Sequence, residues 1–248
     1  MKIITINVNK GGAGKTTFAH NFAEWLRKKE RVLLLDFDDS VNLTHRYGYF
    51  SDIKTTVVSL FSEGVVEPIQ VAERLDLIAG HKNVELLKEK VNMKRRREEL
   101  FGKWLAENQK ELESKYDYII IDTENDEGIL TENAIIVSDL VVGIAEASKD
   151  SVVALSSLRE FVNDLNHDFE ENTQLAFVAN KINLTEAASK ELLEVLKDYP
   201  EYSGYLPRRT ILADERSIYD QQLTREQDKI KRQVSHVFAK ILAKVAAV

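Results

Sequence analysis

One stretch decides the fold: Asn9-Lys10-Gly11-Gly12-Ala13-Gly14-Lys15-Thr16-Thr17. It follows a β-branched run, Lys2 to Val8, that predicts a buried strand. It precedes Phe18 to Lys29, where apolar residues recur at helical spacing. Glycines let backbone N–H groups turn inward around phosphate oxygens, and the N-terminus of the helix adds its dipole. The strand, the glycine-rich turn and the helix together predict a phosphate-binding loop.

The residues of this loop have different expected tasks. Lys15 reaches the β- and γ-phosphates of a nucleotide, and the hydroxyl of Thr16 binds Mg²⁺. Asn9 stands where the ordinary Walker A pattern has a glycine, and a second lysine, Lys10, comes next. A flexible glycine turn without a ligand is the alternative, which the flanking strand and helix disfavour. The sequence thus predicts a nucleotide site made of Lys10, Gly11, Gly12, Ala13, Gly14, Lys15, Thr16 and Thr17.

The motif Lys-Gly-Gly-Ala-Gly-Lys-Thr-Thr resembles that of the deviant Walker A ATPases, the ParA/MinD branch of P-loop ATPases. The resemblance implies that Lys10 is the signature lysine, which crosses a dimer interface to contact the partner's nucleotide. There it would act as an arginine finger does, because a cation supplied in trans stabilises the charge that develops in phosphoryl transfer. A solvated lysine near the mouth of the site is the plainer alternative.

Composition limits the class of protein. The 248 residues are 44% hydrophobic and 30% charged, which is typical of a globular protein with a sizeable core. The chain has no cysteine, which excludes disulfides and cysteine-held metals or iron–sulfur clusters. The first predicted strand begins at residue 2, and no apolar run is long enough to span a membrane. We therefore expect a cytoplasmic protein without a signal peptide.

Strand and helix patterns alternate along most of the chain, and no low-complexity linker divides it. This alternation predicts a mostly parallel sheet with helices on both faces. The resemblance covers nearly the whole chain and implies an α/β, three-layer P-loop NTPase fold with a doubly wound sheet. We expect residues 1–248 to form a single P-loop ATPase domain.

A second predicted buried strand, Arg31 to Asp36, ends on a carboxylate, and a polar segment with Asp38 follows it. Carboxylates at the carboxyl end of a parallel strand point into the crevice where ligands bind. A turn or a helix N-cap is the plainer alternative for both residues. This segment resembles the family's switch I, which implies that Asp38 orients the attacking water and that Asp36 supports the Mg²⁺ region. The chain departs from the family where Asp39 and Ser40 replace proline and glutamine.

The clearest later strand, Tyr116 to Asp122, also ends on a carboxylate. Asp122 fits the Walker B pattern, in which a carboxylate fixes Mg²⁺ through its water shell, and a structural cap is the alternative. The segment that follows, Asp122-Thr123-Glu124-Asn125-Asp126-Glu127-Gly128, stands where the family has switch II. It lacks the family's prolines, which increases its conformational freedom, and carries three extra carboxylates. We expect Mg²⁺, a lysine or a partner to offset this charge beside a triphosphate.

A later strand end and a later loop complete the predicted site. Asn180 ends the predicted strand Gln174 to Asn180, and the family places an asparagine there against the adenine ring. Leu206-Pro207-Arg208 is similar to the loop that lines the other side of the base, although a turn set by proline is the alternative. The resemblance implies that Asn180, Pro207 and Arg208 contact the adenine.

Two helical regions carry basic residues. One is predicted from about Val84 to Ser114, with a break near Lys94-Arg95-Arg96-Arg97. That basic cluster is either a solvated helix face or a contact for DNA phosphates or an acidic partner. A C-terminal helix is predicted from about Gln227, and its apolar face suits docking on the sheet. DNA binding by its basic face and a membrane-surface role are the alternatives, the latter disfavoured because Lys244 to Val248 lacks a bulky anchor.

The net charge of −7 argues against a surface uniformly suited to nucleic acid, but basic segments 84–104 and 225–248 leave DNA contacts open. Without an N-terminal helix-turn-helix segment, the chain looks like the short partition ATPases. That likeness implies ATP and Mg²⁺ as cofactors, a homodimer on ATP binding, slow hydrolysis and nucleoid association. It also implies two partners, non-specific DNA and a centromere-binding, ParB-like adaptor that stimulates hydrolysis.

A rival prediction is a MinD-like positioning or regulatory switch that acts on protein partners or a membrane surface. A metabolic or metal-chaperone ATPase is a third class, which the lack of cysteine disfavours.

Overall fold

The computed structural model describes residues 1–246 and contains one eight-stranded sheet. The strands are β1 (Lys2–Asn7), β2 (Val32–Asp36), β3 (Ile69–Ala72), β4 (Leu75–Ile78), β5 (Tyr118–Asp122), β6 (Leu140–Ala145), β7 (Gln174–Ile182) and β8 (Tyr202–Pro207). Their spatial order is β3-β4-β2-β5-β1-β6-β7-β8. Within residues 1–246, every neighbouring pair is parallel except β3 with β4. The predicted α/β class and the mostly parallel sheet are confirmed.

Helices connect the strands. They are α1 (Lys15–Leu26), α2 (Asn42–His45), α3 (Val57–Glu63), α4 (Val84–Asn92), α5 (Leu100–Lys115), α6 (Ile129–Ile136), α7 (Lys149–Phe169), α8 (Ala187–Leu196), α9 (Thr210–Ala213) and α10 (Arg225–Val245). Short 3₁₀ turns cover Ile53–Thr55 and Arg97–Glu99. Within residues 1–246, we find no helix with the length and hydropathy that a membrane span requires.

The central strands are buried on both faces, as the continuous apolar runs of the sequence predict. In β2, Leu34 belongs to a hydrophobic cluster built with α1 and α10, whereas its neighbours Leu33 and Leu35 belong to a second cluster built with α3, α4 and α5. Adjacent residues of a strand point to opposite faces, so the two clusters lie on opposite sides of the sheet. Each fully buried Leu or Phe stabilises the fold by about 1.5–3 kcal/mol.

The C-terminal helix α10 docks on the sheet through its apolar face. Thr224 and Gln227 form a reciprocal capping box at its start, which explains why the helix begins there. Phe238 is fully buried, and its ring centroid lies 5.3 Å from that of Phe18 and 5.0 Å from that of Phe22. This docking confirms the prediction that the helix packs on the sheet. It also buries the apolar face that a membrane-surface role would need. The sequence argument against a membrane surface used the run Lys244 to Val248, of which residues 247–248 lie outside the described residues.

The helical region predicted from Val84 to Ser114 is interrupted near the expected point, between α4 and α5. Its basic cluster is exposed, as the interpretation of a solvated face predicts, but it forms a turn and the start of a 3₁₀ turn rather than part of an α-helix. Lys94 donates to the carbonyl of Phe61 at 2.7 Å, and Arg96 and Arg97 pair with the adjacent Glu99 and Glu98. The sequence did not predict the strands β3 and β8 or the helices α2, α8 and α9.

The parallel arrangement brings several strand ends to one edge of the sheet. Asp36 at the end of β2 is paired in register with Asp122 at the end of β5. Ile6, near the end of β1, is paired with Asp122 on the other side. The loop that leaves β1 therefore begins beside both carboxylates. This edge is where the sequence predicts a ligand, since ligands of open α/β sheets bind outside the carboxyl ends of the strands.

Candidate nucleotide site

The loop of residues 10–17 takes a shape that only glycine accommodates at one point. Gly14 has a φ of +96°, and a Cβ built on it would collide with the side-chain amide of Asn180. Asn180 is buried, and its Nδ2 donates to the carbonyl of Ala13 at 2.9 Å. The end of β7 thereby braces the loop just before α1 begins at Lys15. The predicted adenine contact of Asn180 remains a prediction, because this amide holds the loop.

Lys15 lies inside the loop with only 5% of the residue exposed. Its Nζ donates to the carbonyl of Val8 at 3.3 Å and to Oδ1 of Asn125. Burial lowers the pKa of Lys15, and the carboxylates of Asp122 and Asp38 act in the opposite direction. The ammonium group is therefore held inside the loop, and its contact with phosphates remains a prediction.

Asp122 is the most unusual acid in the site. Both of its side-chain oxygens are buried without a hydrogen-bond partner of normal geometry among residues 1–246. Burial raises its pKa well above the usual range and the charge of Asp36 adds to this, whereas the Thr16 hydroxyl and Lys15 oppose it. Buried polar groups without partners are costly, so these oxygens are poised for a cation. Asp122 and Thr16 fit Mg²⁺, a hard cation that prefers oxygen ligands.

Asp36 and Asp38 differ in their surroundings. Asp36 is fully buried, and its Oδ2 accepts from the amide of Thr44 at 2.9 Å and from its hydroxyl at 2.7 Å. Burial raises the pKa of Asp36 to about 6, although the two Thr44 hydrogen bonds lower it. Asp36 therefore anchors the switch I segment to the sheet, and its direct role toward Mg²⁺ remains a prediction. Asp38 is less buried and accepts from the amide of Ser40 at 2.8 Å.

Lys10 is held by the chain's own residues. Its Nζ donates to Ser151 Oγ at 3.0 Å and to Ser148 Oγ, and it lies 3.5 Å from Glu146 Oε1. These residues follow β6 and begin α7, and Glu146 also lies 3.5 Å from Lys181 at the end of β7. The predicted contact of Lys10 with a partner's nucleotide would exchange these contacts for phosphate oxygens.

The acidic segment 122–128 has a lysine counter-charge that the sequence alone did not identify. Lys88 on α4 donates to Glu124 and, at 3.0 Å, to Asp126 Oδ2. Glu124 Oε1 accepts from the amide of Asp39 at 3.1 Å, which joins this segment to switch I. Burial raises the pKa of Glu124, and the hydrogen bond from Lys88 opposes that shift. The expectation that a lysine offsets the added charge is met within the chain.

A cavity of about 320 Å³ opens beside the loop, lined in part by Thr16, Thr17 and Arg46. Arg46 donates to the hydroxyl of Thr17 at 3.2 Å and to the carbonyl of Asp214 at 2.6 Å, and it was not predicted. Pro207 and Arg208 lie at the end of β8, where the guanidinium of Arg208 is 3.8 Å from Glu186. No hydrogen bond or ion pair joins them to the loop within residues 1–246. Their adenine contact remains a prediction.

The structure thus brings together Lys10, Lys15, Thr16, Asp36, Asp38, Asp122 and Asn180 at one sheet edge. The contributions of Asn125, Lys88 and Glu146 were missed. Asn125 lies 110 residues from its partner Lys15, and Lys88 lies 36 residues from its partner Glu124. Glu146 lies more than a hundred residues from its partner Lys10. No local sequence pattern predicts contacts between residues so far apart.

Comparisons with known proteins identify the family and the fold. A family model described as an AAA domain matches residues 1–177. The sporulation initiation inhibitor protein Soj of Bacillus subtilis is 30% identical over 232 residues, covering 86% of this chain and 87% of that protein. A plasmid partition protein of Borrelia burgdorferi, solved with AMPPNP, superposes with a TM-score of 0.82 at 27% identity and covers 98% of both chains.

A more distant likeness shows the fold alone. The cobyrinic acid a,c-diamide synthase of Mycobacterium smegmatis, solved with an ATP analogue and magnesium, has a TM-score of 0.75 at 21% identity. The match covers 86% of this chain and 89% of that one. Taken with the loop, the two strand-end carboxylates and the closer relatives, these likenesses lead to one conclusion: the chain belongs to the ParA/MinD-type family of P-loop ATPases.

Proposed function

We propose that this chain is a ParA-like partition ATPase. It binds ATP with Mg²⁺ in the loop of residues 10–17, dimerises, holds DNA non-specifically and hydrolyses ATP slowly to drive DNA segregation. A centromere-binding adaptor stimulates the hydrolysis. The observation that carries the proposal is that both side-chain oxygens of Asp122 are buried without a hydrogen-bond partner of normal geometry in the described part of the chain, beside the lysine and threonine of a glycine loop.

The roles of the residues follow from their positions. The backbone of residues 11–16 and Lys15 bind the phosphates, and Asp122 with Thr16 would hold Mg²⁺. The metal neutralises charge on the phosphates when it is bound. Asp38, whose carboxylate is tied to the amide of Ser40, orients the attacking water. Asp36 keeps the backbone of Asp38 in place, since Asp36 Oδ1 accepts from the amide of Asp38 at 3.2 Å.

Dimerisation requires Lys10 to leave Ser148, Ser151 and Glu146. Each charged hydrogen bond contributes about 1.5–3 kcal/mol, so the exchange is favourable only where a comparable or stronger anion replaces these acceptors. A nucleotide phosphate of the partner meets this condition. The contacts of Lys10 within its own chain thus favour a monomer until ATP is present.

The DNA contact is proposed for the outward face of α10. Arg225, Lys229, Arg232 and Lys240 are exposed there, while the apolar face is docked on the sheet. Lysine and arginine contacts to phosphates release counterions, so binding of this kind is reversible and weakens steeply with salt. The burial of the apolar face favours DNA over a membrane surface as the partner.

A retention experiment tests the proposal. The protein is mixed at low salt with non-specific duplex DNA, or separately with anionic liposomes, in ATP–Mg²⁺, ADP–Mg²⁺ or no nucleotide. We expect retention on DNA only with ATP and its loss on raising the salt. Lys229→Glu combined with Lys240→Glu should weaken DNA retention without changing ATP binding. Liposome binding that depends on ATP, without DNA retention, would support the positioning switch instead.

A further inference from the structure

Asn125 lies in the segment where the chain departs most from the family, and its side chain extends over the phosphate loop. Its Oδ1 accepts a hydrogen bond from Lys15 Nζ. Its Nδ2 lies 3.8 Å from the point that a Cβ on Gly11 would occupy. The acceptor of this amide therefore faces the lysine, and its donor faces the backbone of the loop.

The ammonium of Lys15 has three N–H donors. Val8 O, at 3.3 Å, accepts one of them and Asn125 Oδ1 accepts another. Within residues 1–246, this leaves one donor for a phosphate oxygen. Because Lys15 is nearly buried, its acceptors fix where this remaining donor points. Asn125 is thus one of the two acceptors that fix the orientation of the Lys15 ammonium group.

The residues on both sides of Asn125 are anchored. Glu124 accepts from Lys88 and from the amide of Asp39, and Asp126 accepts from Lys88 and, at 2.8 Å, from the hydroxyl of Thr131. Asn125 is therefore held between a helix and switch I rather than lying on a free loop. A displacement of its side chain would therefore also move the contacts with the helix and with switch I.

The amide group suits this position better than a carboxylate. A carboxylate would pair with Lys15 but repel an incoming phosphate, whereas an amide accepts from the lysine and donates N–H bonds to an anion. An aliphatic side chain would do neither. From Glu124 to Glu127, every residue except Asn125 carries a carboxylate, and Asn125 is the one whose side chain contacts Lys15 of the loop.

We propose that Asn125 positions Lys15 and donates through Nδ2 to the terminal phosphate of the bound nucleoside triphosphate. Switch II then contacts the third phosphate through Asn125, which stands where the family has proline. The inference rests on the proposed function, since it needs a nucleotide in the loop of residues 10–17.

The test compares affinities for ATP and ADP, both with Mg²⁺, by calorimetric titration. We expect Asn125→Ala to weaken ATP by about tenfold or more and ADP by less than about threefold, because one charge-assisted hydrogen bond to the third phosphate is lost. Asn125→Asp should weaken ATP further, since it adds a negative charge beside the phosphates. Glu127→Ala, at an exposed residue of the same segment, is the matched control and should leave both affinities unchanged.

The ratio of the two affinities separates a specific role from a structural one. An unchanged ATP-to-ADP ratio in Asn125→Ala, with the circular dichroism of the wild type, would overturn the inference and leave the proposed function intact. A wild-type chain that binds neither nucleotide would overturn both.

Discussion

The phosphate loop and switch II lie side by side but differ in how their charged groups are paired. Among residues 1–246, both side-chain oxygens of Asp122, which faces the loop of residues 10–17, are buried without a hydrogen-bond partner of normal geometry. Lys15 of that loop uses two of its three N–H donors on groups of the described chain. In the segment 122–128, Glu124 and Asp126 are each satisfied by Lys88 and a second donor. Charges left without partners bind ligands, and charges paired within the chain hold the structure. We therefore expect the first region to bind the nucleotide and the second to hold switch II in place beside it.

The largest effect is expected from removing the loop's buried lysine. Lys15→Ala should lower the affinity for ATP by at least about a hundredfold, because the charged contacts to two phosphates are lost. Calorimetric titration measures this loss, and Lys29→Ala, at an exposed position just after α1, serves as the control. Retained ATP affinity in a folded Lys15→Ala protein would show that the loop is not the nucleotide site.

The next effect separates binding from hydrolysis. Asp38→Ala should slow single-turnover ATP hydrolysis by about 10²-fold or more while ATP binding persists, because the water is no longer oriented. The control is Asp39→Ala, the adjacent and more exposed carboxylate. Phosphate release measured on both variants decides the matter, and equal rates in Asp38→Ala and wild type would remove Asp38 from the reaction.

Removing Lys88, which pairs with Glu124 and Asp126, tests whether paired charges hold switch II in place. Lys88→Ala should lower the free energy of unfolding by about 1–3 kcal/mol, since it leaves Glu124 and Asp126 without their shared counter-charge. Adding Glu124→Gln should restore part of this loss. Urea denaturation of the single and double variants measures the coupling, with exposed Lys90→Ala on the same helix as the control. Purely additive effects would contradict a pairing that holds the segment.

The last effect is a pH dependence of stability, and it concerns a charge network outside both regions. Burial raises the pKa of Glu24 to about 7, and Glu24 accepts from Arg27 at 2.6 Å and from Tyr47 at 3.2 Å. A carboxyl whose pKa is raised in the folded state binds protons more readily there than in the unfolded chain. Its contribution to stability is therefore complete below its unfolded pKa and is lost as the pH rises through about 7.

Glu24→Gln should flatten this dependence. Urea denaturation from pH 5 to 8, without Mg²⁺, should show stability falling with pH by up to about 3 kcal/mol more in the wild type than in the variant. Parallel curves for the two proteins would mean that Glu24 is already ionised in the folded state.

The sequence predicted the parts of the site that are contiguous in the chain. The strand, loop and helix around Lys15, and the acids that end β2 and β5, follow from short apolar runs with a polar end. The tertiary contacts were not predictable: Lys88 reaches Glu124 across 36 residues, and Asn125 reaches Lys15 across 110. The strand β3 also went unrecognised, since its four residues are only partly buried and show no strong pattern.

Asp36 shows a third kind of limit. The resemblance assigns it to the Mg²⁺ region, whereas its oxygens accept from Thr44 and from the amide of Asp38 in the structure. A strand-end carboxylate has the same sequence pattern whether it binds a metal or anchors a loop, and only its hydrogen-bond partners distinguish the two.

One measurement tests the central claim, a nucleotide site shared between two chains through Lys10. The particle mass in solution is determined with AMPPNP–Mg²⁺ and with ADP–Mg²⁺, for the wild type and for Lys10→Ala. We predict twice the 28.3 kDa of one chain for the wild type with AMPPNP, and one chain mass in the other three cases, while nucleotide affinity of the Lys10→Ala monomer is kept. A Lys10→Ala protein that dimerises like the wild type would contradict the account.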